Sequence, residues 1–446
     1  MKRAIIWGAL ALIPLGWQAA ATLGAGRPDT LPPPLTDADF RPVDPTEARL
    51  GQLLFYDPIL SGNREVACAT CHHPAFGTSD GLSLGLGDGG IGLGPARVVD
   101  PDNPPEERVP RNAQALWNLG ALEYRSMFHD GRVEIDDAQY HGMRTPLGAD
   151  MLDGFASMLA AQTMFPVVSP DEMAGHYQEN EISTAVRMGM LTGEDGAWAR
   201  LAARVAGVPD YARMFAEVYP EIAAGRAITF ADVSNAIAAF MEFEFRSDSA
   251  PFDAVLRGEA TMAPLAGQGM ALFYGEAGCA SCHAGPFLTD HDFHAMGAPQ
   301  LGPGKGARFE SHHRDEGRYR VTGDPADWYA FRTPALRNVA LTAPYGHAGA
   351  HATLAGFLAA HGAQGLDGYD RTQAVLPAMP VEDWAAMDDP EQVAAIRAAA
   401  ETVFVPDAEQ ITALVAFLET LTDPVARTGR LGVPDSVPSG LPVPNP

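Results

Sequence analysis

The chain has 446 residues, 46% of them apolar, with 46 Gly and 37 Pro, which describes a loop-rich globular protein long enough for two domains. Its formal net charge of −26 at pH 7 argues against nucleic acid and anionic membrane surfaces as partners and favours either a basic protein partner or a general solubility role.

Met1-Lys2-Arg3, the apolar run 4–15 and Ala19-Ala20-Ala21 predict a cleaved signal peptide over residues 1–21. The run is short for a membrane span, and no cysteine near the cleavage site suggests a lipid anchor. An exported protein without a membrane anchor is expected, periplasmic in a Gram-negative cell. The mature start, 22–43, is proline-rich and predicted to be extended. Asp44-Pro45-Thr46-Glu47 predicts a helix start, with Asp as cap, Pro in the first turn and Glu closing a capping box. Leu50, Leu53 and Leu54 share one face, and the helix should end at Tyr56-Asp57-Pro58.

Cys68-Ala69-Thr70-Cys71-His72 is a Cys-x-x-Cys-His sequence, and Cys279-Ala280-Ser281-Cys282-His283 is a second copy; together they hold every cysteine. Two thiols three apart can form thioethers to one porphyrin, and the histidine after them reaches the iron as an axial ligand. Zinc and a disulfide are the alternatives for Cys-x-x-Cys alone. The fifth-place histidine argues against both: a four-thiolate zinc site leaves it unexplained, and so short a disulfide loop stabilises little. Two covalently bound c-type haems are expected, an attachment that suits an exported protein because the cofactor consumes the thiols.

The surroundings of the two motifs echo each other. Gly51-x-x-Leu54-Phe55-Tyr56 is matched by Gly269-x-x-Leu272-Phe273-Tyr274, and Arg111, Ala115, Leu116 and Asn118 by Arg332, Ala335, Leu336 and Asn338. Each set is followed by a histidine, His129 and His347. The pattern predicts an internal duplication of a one-haem domain, with a first domain over 44–250 and a second over 251–424. A pseudo-twofold axis would place His129 and His347 near the path between the haems; the competing expectation is two buried histidines bonded to backbone.

Residues 81–110, with repeated Gly and then Pro, predict a long loop over the haem edge, since no strand and helix frame the glycines as a phosphate loop requires. Segments 133–160 and 174–225 elaborate the first half, the second with a helical run over 198–205. Residues 229–245 should be a helix burying Val233, Ile237, Phe240 and Met241, followed by a linker near 247–261. Asp407-Ala408-Glu409-Gln410 caps a final helix with Ile411, Leu414, Val415 and Leu418 inward, and the proline-rich tail 425–446 is expected to be loose.

The sixth ligand of each iron decides function. Leu354, Phe357, Leu358 and His361 form one continuous helical face, so His361 is the candidate for the second haem, with Met296, His294 and His347 as competitors. Between His73 and Asn112 no residue ligates well; the first haem is expected to be open unless His141 or Met143 reaches it. An open haem binds peroxide or oxygen, and breaking the O–O bond then needs an acid or base. Glu172 is the candidate, although Ser169-Pro170-Asp171-Glu172 also reads as a capping box with a purely structural role.

With these residues assembled, the chain resembles the bacterial dihaem cytochrome c peroxidases and the related MauG enzymes. The resemblance rests on Leu54 to Asp57, the first haem motif, Arg111-Asn112, Phe128 to Arg132, the second haem motif and Leu336 to Tyr345, and covers most of 44–422. It implies a mainly α fold of two cytochrome c-like domains. The first haem would react with peroxide while the second supplies electrons. Gln162 and Glu172 would be the active-site Gln and catalytic Glu, and Asn112, Thr342 and Pro344 would hold one calcium ion. Three departures stand out. The loop before Arg111 lacks the peroxidases' distal histidine, so the enzyme should need no reductive activation. His361 stands where the relatives use Met or Tyr, which should lower the second haem's potential. His129 replaces the inter-haem tryptophan and should share charge less readily.

Three functions stay open: a hydrogen peroxide reductase fed by a small cytochrome c or copper protein, a MauG-like oxidase acting on a protein or organic substrate, and a plain electron carrier with both irons six-coordinate. A second copy of the chain is a candidate partner.

Overall fold

A computed structural model describes residues 31–445 apart from 307–309 and 311; the expected signal peptide, 1–21, and residues 22–30 lie outside the described residues. The fold is mainly α. Its described strands are short antiparallel pairs and one three-stranded sheet, formed by Ser126–Met127, Val133–Ile135 and Met143–Arg144. Among the described residues no helix is long and apolar enough to cross a membrane.

The first helix, Pro45–Tyr56, is capped by Asp44, whose side chain accepts from the Thr46 amide. Glu47 does not close a box: its carboxylate accepts from the Tyr219 hydroxyl at 2.6 Å, a long-range partner that local spacing cannot reveal. This helix crosses Phe230–Glu244 so closely that a Cβ on Gly51 would overlap the Ala236 carbonyl and come within 2.9 Å of Phe240. The second half repeats the crossing. Pro264–Tyr274 meets Ala408–Glu419, and a Cβ on Gly269 would overlap the Ala413 carbonyl and come within 2.9 Å of Phe417.

The echoed asparagines also do one job twice. Asn118 and Asn338 both adopt left-handed backbone (φ 59° and 62°), which asparagine tolerates better than most residues. Each clips the chain that leaves its half's long helix. Asn118 Oδ1 accepts from the Ser247 amide at 2.7 Å and Asn338 Oδ1 from the Asp423 amide at 2.8 Å.

Three expectations are corrected. The 247–261 linker contains the helix Pro251–Leu256, whose Phe252 is fully buried and whose Asp253 pairs with Arg337 at 2.8 Å, both side chains wholly buried. In Ala408–Glu419, Leu414 and Leu418 are buried but Ile411 and Val415 are half-exposed, because Ala413 and Phe417 turn inward instead; it is not the last helix, since Val425–Thr428 follows. The tail is not loose: it folds back onto the first half. Glu244 accepts from the amides of Arg430, Leu431 and Gly432, and Asp57 takes the Ser439 hydroxyl at 2.7 Å.

The halves meet through Arg111, whose guanidinium pairs with Asp130 at 2.7 Å and, through two bonds, with Asp315 at 2.6 and 2.8 Å. Burial alone would push both carboxyls up, but Arg111 outweighs it and holds them below their usual range.

Candidate haem sites

Each Cys-x-x-Cys-His motif forms a short helical turn, Cys68–Cys71 and Cys279–Ser281, and no disulfide joins its cysteines. His72 Nδ1 donates to the Thr78 carbonyl at 3.0 Å and His283 Nδ1 to the Leu288 carbonyl at 3.2 Å. This fixes both tautomers with Nε2 available to a metal. Burial lowers both imidazole pKa values, favouring the neutral, coordinating form.

His361 faces His283 just beyond the Leu354–Ala359 helix, the ring centroids 6.4 Å apart. Two metal–imidazole bonds of about 2 Å and about 1.1 Å from nitrogen to centroid at each end predict roughly 6.3 Å for rings sharing one iron. Burial first, then the neighbouring His283 and His351, pushes His361 down to about 4, so it too is neutral. The two competing histidines are engaged elsewhere. His294 contacts Asp290 at 3.0 Å and Glu401 at 2.9 Å through its two nitrogens, and Asp290, then Cys282, raises its pKa to about 11. His347 stacks on Phe331 with centroids 3.8 Å apart. Among the described residues, Cys282, Asp290 and His294 form the one three-residue group that could hold a metal ion.

His72 instead opens on a cavity of about 1140 Å³, counted to its open mouth, lined by Cys68, Cys71, Gln162, Glu172, His129 and Lys305 among others. His129 is the one other imidazole in this lining; its Nε2 sits 3.1 Å from the Asn112 carbonyl, and burial pushes it down to about 3. His141 and Met143 are not in the lining. His141 pairs with Asp153 at 2.6 Å, and Met143 lies in a strand paired with Ile135. Gln162 Oε1 and both amide atoms of Gln114 are buried without a protein partner, as expected of groups that face a bound cofactor. The sequence reading missed Gln114; its neighbour in the echo is Pro334, so an amide where the other half has proline was the available signal.

Glu172 is not held by a capping box, because Ser169 makes no side-chain cap. The amides of Glu172, Met173 and Ala174 all reach the Ser169 carbonyl, at 3.2, 3.0 and 2.9 Å, in a π-type turn over Pro170–Ala174. The turn is tied to the 81–110 loop, where the Asp88 amide donates to the Glu172 carbonyl at 2.9 Å. Of the three expected calcium ligands, Asn112 donates its amide to the Leu82 carbonyl at 2.7 Å and is joined to the 342–349 segment by a 2.8 Å bond to the His347 carbonyl. Thr342 donates its hydroxyl to the Val339 carbonyl at 3.0 Å, and among the described residues no hydrogen bond links it or Pro344 to Asn112.

Residues 45–261 match the family described as di-haem cytochrome c peroxidase. The chain is 31% identical over 324 residues to the methylamine utilization protein MauG of Methylorubrum extorquens, spanning 72% of this chain and 69% of that protein. It is 26% identical over 320 residues to the cytochrome c551 peroxidase of Pseudomonas aeruginosa, spanning 72% of each. A solved MauG-like protein associated with microbial copper homeostasis superposes with a TM-score of 0.56 at 26% identity, over 91% of this chain and 97% of that one. The diheme peroxidase BthA from Burkholderia thailandensis E264 shares the fold, with a TM-score of 0.52 at 23% identity over 87% and 88% of the two chains. A mainly helical chain with two such attachment motifs, one beside an open cavity and one facing a second imidazole, is a dihaem c-type oxidoreductase. This chain belongs to the dihaem cytochrome c peroxidase and MauG family.

Proposed function

We propose that this protein reduces hydrogen peroxide to water at a first haem held by Cys68, Cys71 and His72, fed through a second haem on Cys279 and Cys282 with His283 and His361 as ligands. The observation that carries it is an asymmetry: His283 faces a second imidazole 6.4 Å away, whereas His72 faces a cavity. Bound haem supplies the redox chemistry and the iron that receives peroxide. Glu172 would move a proton between the two peroxide oxygens, Gln162 would orient them, and Phe128, Pro166 and Met173 would exclude water. Two electrons and two protons balance the conversion of one peroxide to two waters. His129 and His347 would lie between the haems; both feel the charge of Arg111.

The repeated helix crossing and asparagine clip support an internal duplication, with domains 44–250 and 251–424. Export through a signal peptide ending near Ala21, a periplasmic location, a small cytochrome c or copper-protein donor, and one calcium at Asn112, Thr342 and Pro344 complete the proposal. The 31% identity to MauG favours a second reading, oxidation of a protein or organic substrate. Sustained turnover with a reduced cytochrome would separate the two.

Low-temperature electron paramagnetic resonance of the oxidised protein tests the ligation. One high-spin and one bis-histidine low-spin signal are expected; two low-spin signals would overturn the open first haem and favour a carrier. Calcium analysis of the same sample tests the metal.

A further inference from the structure

The cavity beside His72 has one lining cation that the chemistry above does not use. Three cations line it: Arg111, Arg132 and Lys305. Arg111 is spent on Asp130 and Asp315. Arg132 pairs with Asp130 at 3.0 Å and lies 3.6 Å over the Phe128 ring. Lys305 forms no salt bridge among the described residues, and its one described hydrogen bond is backbone, from its amide to the Arg314 carbonyl at 3.0 Å.

Lys305 belongs to the second half of the chain yet lines the first half's cavity, and its approach is built. Gly302 and Gly304 both take left-handed backbone, φ 71° and 70°. Gly302 packs so tightly on Leu84 of the first half, and Gly304 on the His313 carbonyl, that a side chain at either would collide. The Gly302 amide also donates to the Asp383 carbonyl at 2.8 Å. A loop pinned this way delivers its lysine to one place. No carboxylate pairs with this part-buried ammonium among the described residues, so an anion is the direct partner the site lacks.

We propose that Lys305 makes this cavity an anion-binding site, its ammonium taking an anionic oxygen from either a haem propionate or a small ligand arriving beside Glu172. The inference rests on haem occupying the cavity. Burial, then Arg132 and Arg111, lowers the lysine pKa to about 8, while Glu172 and Asp130 oppose the shift; the ammonium is retained at neutral pH.

The test compares the haem-loaded full chain with Lys305→Met and Lys305→Gln, each checked for haem content, with Lys305→Arg as rescue. Formate is titrated into the ferric protein and followed by absorption, and the first haem's potential is measured by spectroelectrochemistry. If the small ligand is the partner, formate affinity falls about tenfold in the neutral variants and Arg restores it. If the propionate is the partner, loss of the cation favours the ferric state about tenfold, which is about 59 mV to lower potential for one electron. Unchanged affinity and potential in a variant with full haem content overturn the proposal. A wild-type protein that binds no formate would instead overturn the open first haem, and the potential alone would then decide for or against Lys305.

Discussion

Glu172 shows how much a single side chain's meaning depends on its backbone. In a capping box its carboxylate would be committed to a helix N-terminus. In the turn found here, three amides share the Ser169 carbonyl, no cap forms, and Glu172 lines the cavity onto which His72 opens. A group positioned for proton transfer contributes about 10² to 10⁴ in rate. Glu172→Gln keeps the shape and removes the acid, so peroxide turnover should fall by about that factor while haem content, read from the pyridine haemochrome, stays at the wild-type level. Unchanged turnover would leave the turn as a purely structural device. Residues such as His72, His283 and His361 were legible because a covalent motif or a helical face marks them. Lys305 and Gln114 were not, since each becomes notable only through what the fold places around it or fails to place.

At the scale of elements, the glycines at the two helix crossings carry a matched prediction. Gly51 and Gly269 sit inside helices, where alanine is normally the better residue by about 1 kcal/mol. Here the facing carbonyl of Ala236 or Ala413 occupies the place of the missing Cβ. Overpacking of this kind costs about 1 to 3 kcal/mol or more, so Gly51→Ala and Gly269→Ala should each lower the thermal midpoint. Gly51→Ala should disturb the first haem's absorption and Gly269→Ala the second's. A neutral or raised midpoint for either would mean the helices slide apart easily. The echo Gly-x-x-Leu-Phe-Tyr was visible in the sequence, as were the helix over 229–245 and the capped helix Ala408–Glu419, because periodicity and capping are local signals. The tail and the supposed linker were misjudged for the opposite reason. Proline content describes local stiffness, and says nothing of Glu244 and Asp57 waiting elsewhere to accept the tail's donors.

At the scale of the whole molecule, the junction between the halves combines strong pairing with imidazoles kept neutral. Asp130 and Asp315 stay ionised well into acid because Arg111 outweighs their burial, so they are not the first groups to respond as pH falls. His129 and His347 are. Burial lowers His129 to about 3, with Arg111 adding to the effect, and lowers His347 to about 4, with Asp315 partly opposing; the ordinary value is 6.5. The unfolded chain therefore takes up a proton on each histidine between about pH 6.5 and 4 while the folded protein does not. The stability this neutrality represents is fully present above pH 6.5 and is lost as pH falls toward the folded values, at up to about 1.4 kcal/mol per pH unit for each histidine. Denaturant midpoints of the holoprotein measured from pH 7.5 to 5 carry this decline on the acid side, against the opposite contribution of Asp80 and Glu242, whose burial raises each to about 7. His347→Gln removes one titrating group, so its decline should be shallower than the wild type's whatever its stability at pH 7.5. A slope identical to the wild type's would mean that His347 takes up its proton in the folded state as well, and that the contact between the halves opens to admit it.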